Sequence, residues 1–405
     1  MDYNQVSNIE LKSNDVLRNR DIVCFSHDWT GDPLSKTHIV RILARENRVL
    51  WVNSLANRMP TTSGKDLNRI VKKLKSFTEP IREPEKNIFV MNPLAFPAYG
   101  NAAIRGFNQS FLLRQIKSAM RKLGFGVPVN LVFNPAAGLL ARKLGEDLLI
   151  YYCVDEYTAF TGVADGLKEI EESLFRKSDL VIVSAEKLLE SKRHFNENTF
   201  LIRHGVDVSH FQKALRDETT IPDDIKNLPK PIIGFYGLLA DWVDYELFKK
   251  ISEHFRDASI VLIGKIAVDA EQKIKTLDGL PNVHFLGRKP YSQLPNYAKA
   301  FDVALNPFEI SDLTLAANPL KVREYLAAGL ETISTAIPEV EILNVCRIGH
   351  NHDEFILEIE KALKNPRTRI EISETVKNES WEARVEELRN RIASSVQSPK
   401  SKVCN

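Results

Sequence analysis

The stretch NPLKVREYLAAG, residues 318–329, follows the apolar run Phe301–Leu305 and has the pattern of a loop that leads from a strand into a helix. Pro319 suits the start of a helix, and Lys321 places a cation in the first turn. Helix N-termini bind anions because their first N–H groups have no intrahelical acceptor and the helix dipole is positive there. The stretch therefore predicts an α/β fold with a phosphate site at this helix, and a nucleotide is the expected ligand.

Short apolar runs alternate with helical patterns along almost the whole chain, which predicts parallel sheets with crossover helices. Strands are predicted at residues 21–26, 48–53, 87–91, 129–133, 148–153, 180–184 and 200–202, and then at 231–236, 259–263, 283–286, 303–306 and 332–334. Helices are predicted at 34–46, 104–123, 136–144, 163–177 and 186–194, and then at 245–255, 268–277, 291–298, 319–328, 337–343 and 353–364.

The order of these elements predicts two doubly wound, Rossmann-like domains. The chain has 405 residues, which is enough for two cores of ordinary size. A polar, acidic stretch at 216–224 suits a linker, so we expect a first domain over residues 1–215 and a second over residues 228–377. Ligands of such sheets bind at the carboxyl ends of the strands, and the cleft between the domains is therefore the expected site.

Composition indicates a soluble globular protein, with 43% hydrophobic residues, 27% charged residues and a formal net charge of +2. The N-terminal residues lack the apolar core of a signal peptide, and no run of about 18 apolar residues is present. Cys24, Cys153, Cys346 and Cys404 have neither metal-ligand nor redox spacing. We therefore expect a cytoplasmic protein with reduced thiols.

Glycines end the first two predicted strands of the second domain. Gly237 follows the first strand, and Gly264 and Lys265 follow the second. A glycine at a strand end lets a ligand approach the backbone, and Lys265 adds a cation. Glycines that only serve tight turns explain the same pattern, and neither pair forms the GxGxxG fingerprint of a dinucleotide site.

Residues 283–297 and 318–329 resemble, in this order, the nucleotide-sugar site of glycosyltransferases with the GT-B fold, in which two Rossmann-like domains face each other across a cleft. Residues 49–54 resemble the corresponding stretch of bacterial teichuronic-acid and exopolysaccharide glycosyltransferases of the group 1 type. The predicted donor-binding residues are Gly237, Lys265, Gly287, Arg288, Phe308, Asn318, Leu320, Lys321 and Glu324.

The resemblance implies separate roles for the donor-binding residues. Lys321, Asn318 and the amides of Leu320 and Lys321 would bind the diphosphate, and Glu324 would accept hydrogen bonds from the ribose hydroxyls. UDP is favoured over GDP, and no metal or other cofactor is expected, because the cation and the helix end supply positive charge. A plain surface ion pair between Lys321 and Glu324 is the alternative.

The loop after the first strand is the predicted acceptor side, because it lies at the carboxyl end of that strand. His27, Asp32, Lys36 and His38 are candidates to bind the acceptor, and Asp28 is a candidate catalytic residue. Ser35 as a simple helix cap explains part of the same loop.

Asp155 directly follows the apolar strand 148–153. A carboxylate at this point can deprotonate an acceptor hydroxyl if its pKa is suitable. More distantly, the chain resembles xanthan-type glucuronosyltransferases, which have an Asp base after a similar strand, and Asp155 matches that position. The alternative is that Asp155 or Glu156 only caps the following helix.

Two positions depart from the GT-B pattern. Ala316 stands eight residues before Glu324, where many retaining members have a second Glu, and Glu331 stands where a Lys-Pro pair is common. A retaining reaction is therefore not predicted. A binding or scaffold protein with a decayed donor site, and a sugar-nucleotide epimerase of the same fold, remain alternatives.

Residues 87–145 contain no Asp or Glu but seven Lys or Arg. The helix predicted there could meet an anionic membrane, and a core-facing helix with a solvated basic face is the alternative. Nucleic acid is not an expected partner, because these basic residues lack interleaved aromatics. By resemblance, a helix at 378–395 packs back on the first domain, and residues 396–405 form a flexible tail.

These observations together predict an enzyme that moves a sugar from a nucleotide diphosphate sugar to a hydroxyl group. The expected acceptor is a glycan or a lipid-linked molecule in cell-surface polysaccharide synthesis. The expected location is the cytoplasm, with peripheral contact to the inner face of the plasma membrane.

Overall fold

The computed structural model describes residues 17–29, 33–55, 79–96, 99–160 and 163–397, with side chains as far as residue 395. Within these ranges the chain forms two α/β domains, each built on its own sheet. The predicted class, two doubly wound Rossmann-like domains, is confirmed.

The first sheet has the strand order β3-β4-β2-β1-β5-β6-β7-β8. Its strands are β1 (Asp21–Phe25), β2 (Arg48–Val52), β3 (Arg82–Glu85), β4 (Ile88–Met91), β5 (Val129–Val132), β6 (Leu148–Cys153), β7 (Leu180–Val183) and β8 (Thr199–Leu201). All neighbours pair in parallel except β3 and β4. The strand order reverses at β1 and β5, and ligands of doubly wound sheets bind at such a point.

Helices connect these strands and cover the sheet. They are α1 (Ser35–Leu43), α2 (Ala102–Leu123), α3 (Leu167–Lys177) and α4 (Glu186–Lys192), with 3-10 turns at Pro135–Leu140, Tyr157–Ala159 and Arg193–Phe195. The long helix α2 begins after Asn101, whose side chain accepts a hydrogen bond from the Ile104 N–H, and it ends at Gly124 in the left-handed conformation.

The connection to the second domain is itself helical, with α5 (Val208–Phe211), a 3-10 turn at Gln212–Leu215 and α6 (Asp223–Lys226). The second sheet has the order β11-β10-β9-β12-β13-β14. Its strands are β9 (Ile232–Tyr236), β10 (Ser259–Ile263), β11 (Val283–Gly287), β12 (Val303–Asn306), β13 (Glu331–Thr335) and β14 (Arg347–Gly349). Its helices are α7 (Tyr245–His254), α8 (Leu294–Ala300), α9 (Asp312–Leu315), α10 (Leu320–Ala327), α11 (Pro338–Glu341), α12 (His352–Lys364) and α13 (Arg369–Glu374), with 3-10 turns at Val268–Ala270, Lys273–Leu277 and Tyr291–Gln293.

The last helix, α14 (Trp381–Gln397), returns to the first domain and packs against α1. Trp381, Val385, Leu388 and Ile392 recur at the spacing of one helix face, and all four are buried in the core on one face of the first sheet. Burial of this apolar stripe explains why a helix that follows the second domain in sequence belongs to the first domain in space.

The predicted elements differ from the structure where the sequence pattern is weak. Residues 136–144 and 268–277 form short 3-10 turns instead of the predicted α-helices. The edge strands β3 and β14 were not predicted. Strand β3 has the polar sequence REPE, so its existence depends on antiparallel pairing with β4 and not on an apolar pattern.

Candidate active site

A cavity of about 610 Å³ lies between the two domains. Lys36, Val154 and Asp155 line it from the first domain, and Gly237 and Lys321 are among the residues that line it from the second. These residues follow β6, β9 and β12 or begin α1, so the cavity lies at the carboxyl edges of both sheets. This is where doubly wound sheets bind ligands.

Lys321 is the central cation on the second-domain side of the cavity. Its Nζ lies 4.4 Å from the centre of the Phe235 ring and 4.5 Å from that of Phe308. Cation–π attraction from the two rings holds the ammonium in place. Burial lowers the pKa of Lys321 to about 7, and the nearby Glu324 carboxylate opposes that shift.

Two glycines make room for this arrangement. A Cβ on Gly237, whose φ is +149°, would lie 2.8 Å from Lys321 Nζ. A Cβ on Gly264 would lie 1.8 Å from the Gly237 carbonyl oxygen, which no side chain can tolerate. The close packing of the β9 and β10 ends thus requires glycine at both positions, where a Cβ would clash with the lysine or with the neighbouring backbone.

Lys321 is in the first turn of α10. In the described part of the chain no side chain caps this helix, so the N–H groups of Leu320 and Lys321 are available to an anion. The Tyr325 hydroxyl accepts a hydrogen bond of 2.9 Å from the Tyr236 N–H at the end of β9. This bond fixes the start of the helix relative to the strand whose end borders the cavity.

Glu324 follows one turn after Lys321 and also lines the cavity. Burial raises the pKa of this carboxyl group, while the Lys321 ammonium opposes the shift. The two groups are therefore not the solvated surface pair of the sequence alternative: both face a cavity from which protein atoms displace much of the water.

Asn318 lines the cavity, but its side chain is used to join the domains. Its Nδ2 donates to the Ser184 carbonyl of the first domain at 2.7 Å, and its Oδ1 accepts from Arg323 Nη1 at 2.6 Å. The backbone carbonyl of Asn318 accepts a hydrogen bond of 2.9 Å from His204 Nδ1. The side-chain hydrogen bonds of Asn318 thus join the domains at the edge of the cavity, and its predicted place beside the diphosphate stays a prediction.

A second contact between the domains lies beside Asn318. The Glu339 carboxylate, from α11, accepts from the Glu186 N–H at the start of α4 at 2.8 Å and from Arg203 Nε at 2.8 Å. Glu339 is thus an acidic cap, supplied by the second domain, on a first-domain helix.

Asp155 and Lys36 form the first-domain side of the cavity. Lys36 Nζ donates to the Tyr157 hydroxyl at 3.1 Å, and that hydroxyl donates to the Phe133 carbonyl at 2.9 Å. Burial raises the pKa of Asp155, and the Lys36 ammonium opposes the shift. Burial lowers the pKa of Lys36, and Asp155 opposes that shift. Asp155 is thus a half-buried carboxyl group that faces a ligand-sized space.

Three predicted residues of the first-domain loop do not line this cavity. Asp28 is exposed, and its Oδ1 accepts from the Ser54 N–H at 3.0 Å and from the Ser54 hydroxyl at 2.7 Å, so it joins two loops. His27 packs edge-on against Trp51, and burial lowers its pKa to about 4. His38 stacks on Trp381 at 5.3 Å and lines a different groove. Asp32 lies outside the described residues.

Among the remaining donor-side predictions, Lys265, Arg288, Phe308 and Leu320 line the cavity. Gly287 does not. Its carbonyl accepts a hydrogen bond of 2.9 Å from the Gly264 N–H, and its φ of +66° indicates a turn residue.

Several apolar residues that line the cavity were not predicted as site residues, among them Phe160, Leu238 and Trp242. Phe160 and Trp242 come from different domains, and their ring centres are 6.3 Å apart. The available signal was their position in loops that follow β6 and β9, at the carboxyl edges of the two sheets.

The two departures from the GT-B pattern have structural explanations. Ala316 is buried against the core of the first domain, so a small residue suits this place. The Glu331 carboxylate accepts from Arg367 at 2.8 Å and 2.6 Å and is not among the residues that line the cavity. Glu309, in the loop after β12, pairs with Lys273 at 2.9 Å.

Two Rossmann-like domains, a cavity between the carboxyl edges of their sheets and a cation at an uncapped helix N-terminus define the GT-B class of protein. Residues 230–365 match the family described as "Glycosyl transferases group 1". The matched residues lie within the second domain.

A curated relative is a putative teichuronic acid biosynthesis glycosyltransferase, TuaH, of Bacillus subtilis. It is 23% identical over 249 residues, which are 56% of this chain and 62% of the relative. The match thus spans less than two thirds of that relative's length.

Solved structures agree on the fold along nearly the whole chain. Anabaena HepE, in complex with UDP and glucose, has a TM-score of 0.66 at 12% identity and covers 93% of this chain and 100% of its own. Sucrose-phosphate synthase of Thermosynechococcus elongatus has a TM-score of 0.64 at 15% identity, with 94% and 97% covered. At these identities the likeness establishes the GT-B fold, and the predicted fold is confirmed.

Proposed function

We propose that this protein is a glycosyltransferase that moves a sugar from a nucleoside diphosphate sugar to a hydroxyl acceptor. The main support for the proposal is that Lys321 and Asp155 line the same cavity from opposite sides. Lys321 lies at the start of α10, where no side chain of the described residues caps the helix. The group 1 glycosyl transferase match of residues 230–365 supports the donor half.

Lys321 and the first N–H groups of α10 would bind the diphosphate. The ammonium and the positive helix end lower the energy of the negative charge that develops on the leaving diphosphate. Because this positive charge comes from the chain itself, we propose a reaction that needs no metal. Glu324, one turn further, would hold the ribose hydroxyls, and the UDP complex of HepE favours UDP as the nucleotide.

Asp155 would act as the general base in an inverting reaction. The acceptor oxygen attacks the anomeric carbon, the bond from that carbon to the diphosphate oxygen breaks, and the hydroxyl proton passes to the Asp155 carboxylate. The raised pKa of Asp155 suits this role, because a more basic carboxylate accepts a proton more readily. Lys36 would hold the Asp155 side of the cavity in place through Tyr157.

We further propose a role in the synthesis of a cell-surface polysaccharide, with a glycan or lipid-linked acceptor, in the cytoplasm. The named role of the Bacillus relative supports the pathway class. Within the described residues, no helix is long and apolar enough to cross a membrane.

Peripheral membrane contact has a candidate surface on the first domain. Phe96 and Phe107 are 49% and 53% exposed, and their rings are 6.0 Å apart. Asn108 fixes the Phe96 backbone through bonds of 2.9 Å and 2.7 Å. Helix α2 carries five Lys or Arg and no acid, which suits an anionic surface. Met120, near the end of α2, is buried in the core and does not belong to this surface.

Vesicle co-sedimentation tests this membrane contact. Pelleting with phosphatidylglycerol-containing vesicles should exceed pelleting with phosphatidylcholine alone, and Phe107→Ser should reduce it. Val127→Ser, at a residue that is 60% exposed, is the matched control. If both variants pellet equally, the basic residues alone account for vesicle binding, and Phe96 and Phe107 do not contact the membrane.

A thermal-shift screen over sugar nucleotides tests the transferase proposal. A bound donor at about 100 times its dissociation constant should stabilise the protein by about 2.7 kcal/mol. Lys321→Ala should abolish the shift, whereas Lys364→Ala, at a side chain that is 73% exposed, should keep it. The absence of a shift with every UDP-, GDP- and ADP-sugar would refute the proposal.

A further inference from the structure

One wall of the cavity between the domains is apolar. Leu34 and Phe160 contribute to it from the first domain, and Leu238, Trp242 and Leu313 from the second. Leu34 is 48% exposed and Leu238 is 44% exposed, so the wall continues outward from the cavity. Apart from the Trp242 indole N–H, these five side chains have no group that can hydrogen-bond.

The two aromatic residues of this apolar wall are held in place. The Trp242 carbonyl accepts a hydrogen bond of 2.9 Å from the Glu309 N–H. The Phe160 ring lies 6.2 Å from the Tyr157 ring, and the Tyr157 hydroxyl is fixed by its bond to the Phe133 carbonyl. The 6.3 Å contact between Phe160 and Trp242 therefore joins two anchored loops of different domains.

The apolar wall adjoins both halves of the proposed reaction site. Phe160 belongs to the segment that begins with Asp155, and Leu238 directly follows Gly237, which abuts Lys321. A group that lies against the wall is therefore close to the reacting hydroxyl and to the departing diphosphate.

The chemistry of the apolar wall selects among acceptors. A sugar carries hydroxyls on most of its carbons, and burial of hydroxyls without hydrogen-bond partners costs free energy. A hydrocarbon group gains free energy from the same burial, since it loses no hydrogen bonds and removes apolar surface from water. The exposed leucines at the margin suit an occupant that extends out of the cavity.

We propose that the acceptor is a hydroxyl compound with a hydrocarbon chain attached near the reacting hydroxyl, and that the chain lies against Leu238, Phe160 and Trp242. This inference rests on the proposed glycosyltransferase function and narrows its acceptor to the lipid-linked class. The donor site keeps its roles at Lys321 and Glu324.

Titration calorimetry with two simple glycosides, in the presence of saturating UDP, tests the inference. Octyl β-D-glucopyranoside, below its micelle concentration, should bind at least about tenfold more tightly than methyl β-D-glucopyranoside. Trp242→Ala should lower the ratio of the two dissociation constants at least about fivefold. Ile370→Ala, at a residue that is 69% exposed and outside the cavity, should leave this ratio unchanged. Leu238→Ser serves in the same way if Trp242→Ala does not fold.

The outcomes separate this inference from the proposed function. If UDP binds and the two glycosides bind equally, the hydrocarbon acceptor is refuted while the donor site stands. If Trp242→Ala weakens the binding of both glycosides by the same factor, Trp242 contacts the sugar ring and not the hydrocarbon chain, and the inference is wrong. If the octyl glycoside binds more tightly but UDP does not bind, the apolar wall does bind hydrocarbon, and the proposed function is wrong.

Discussion

Affinity for UDP should fall as the pH rises above 7, because Lys321 must carry its proton to pair with the diphosphate. Burial lowers the pKa of Lys321 to about 7 in the free protein, whereas an exposed lysine titrates near about 10.4. A diphosphate at contact distance carries more than one negative charge and should raise the pKa of the ammonium by about 3 units, so the bound lysine stays charged over this range.

The magnitude follows from the charged fraction of the free lysine. With a free-state pKa of about 7, about half of the molecules carry the ammonium at pH 7 and about 3% at pH 8.5. The dissociation constant for UDP should therefore rise about 16-fold between these pH values, which corresponds to ~1.6 kcal/mol. An exposed lysine with an ordinary pKa would change it by only about 1%.

Isothermal titration calorimetry with UDP at constant ionic strength, in two buffers of different ionisation enthalpy, measures both the affinity and the proton uptake. Uptake should grow from about half a proton per UDP at pH 7 toward one at pH 8.5. Lys321→Met should bind UDP more weakly and without this pH dependence, and Lys364→Met should behave as the wild type. A flat wild-type profile, or a slope that persists in Lys321→Met, would refute the reasoning.

Three further changes test other parts of the structure. Asp155→Asn should lower turnover about 100-fold with UDP affinity retained, and full activity would leave Asp155 without a catalytic role. Glu339→Gln weakens the bond from Arg203 and should lower the free energy of unfolding by about 1.5–3 kcal/mol in chemical denaturation; unchanged stability would show that other contacts hold the domains together. Burial alone would raise the pKa of Glu331, but the hydrogen bonds and charge of Arg367 outweigh burial and lower it. The Glu331–Arg367 pair therefore stabilises the fold above the unfolded-state pKa of Glu331, and this contribution is lost as the pH falls toward the lower folded-state pKa. Wild-type stability should therefore fall more than that of Glu331→Gln between about pH 6 and pH 4, and equal falls would contradict this.

The sequence was most informative where the decisive contacts are local. Lys321 and Glu324 lie three residues apart on one helix, so any helix over this stretch places both on one side. Asn318 belongs to the same stretch, yet its partner Ser184 is 134 residues away in sequence. No local pattern predicts such a contact, and the structure therefore assigns the Asn318 side chain to the domain interface.

The loop after β1 shows the same limit. His27, Asp28 and His38 were candidates because polar side chains follow a strand end, where ligands bind. Their surroundings come from distant parts of the chain: Trp51, Ser54 and Trp381. Of this loop and the helix that follows, Lys36 is the described candidate whose side chain reaches the cavity.

By itself, the sequence determined the alternation of strands and helices and the two-domain organisation, and it predicted an anion site at the start of α10. These follow from residue spacing and helix-end chemistry, which act over a few residues. The tertiary structure alone decided which loops meet: that Asp155 faces the cavity of Lys321, that Phe160 touches Trp242, and that the polar strand β3 forms at a sheet edge. Such contacts depend on how two separately folded cores pack, and that packing is not encoded in any single stretch of the chain.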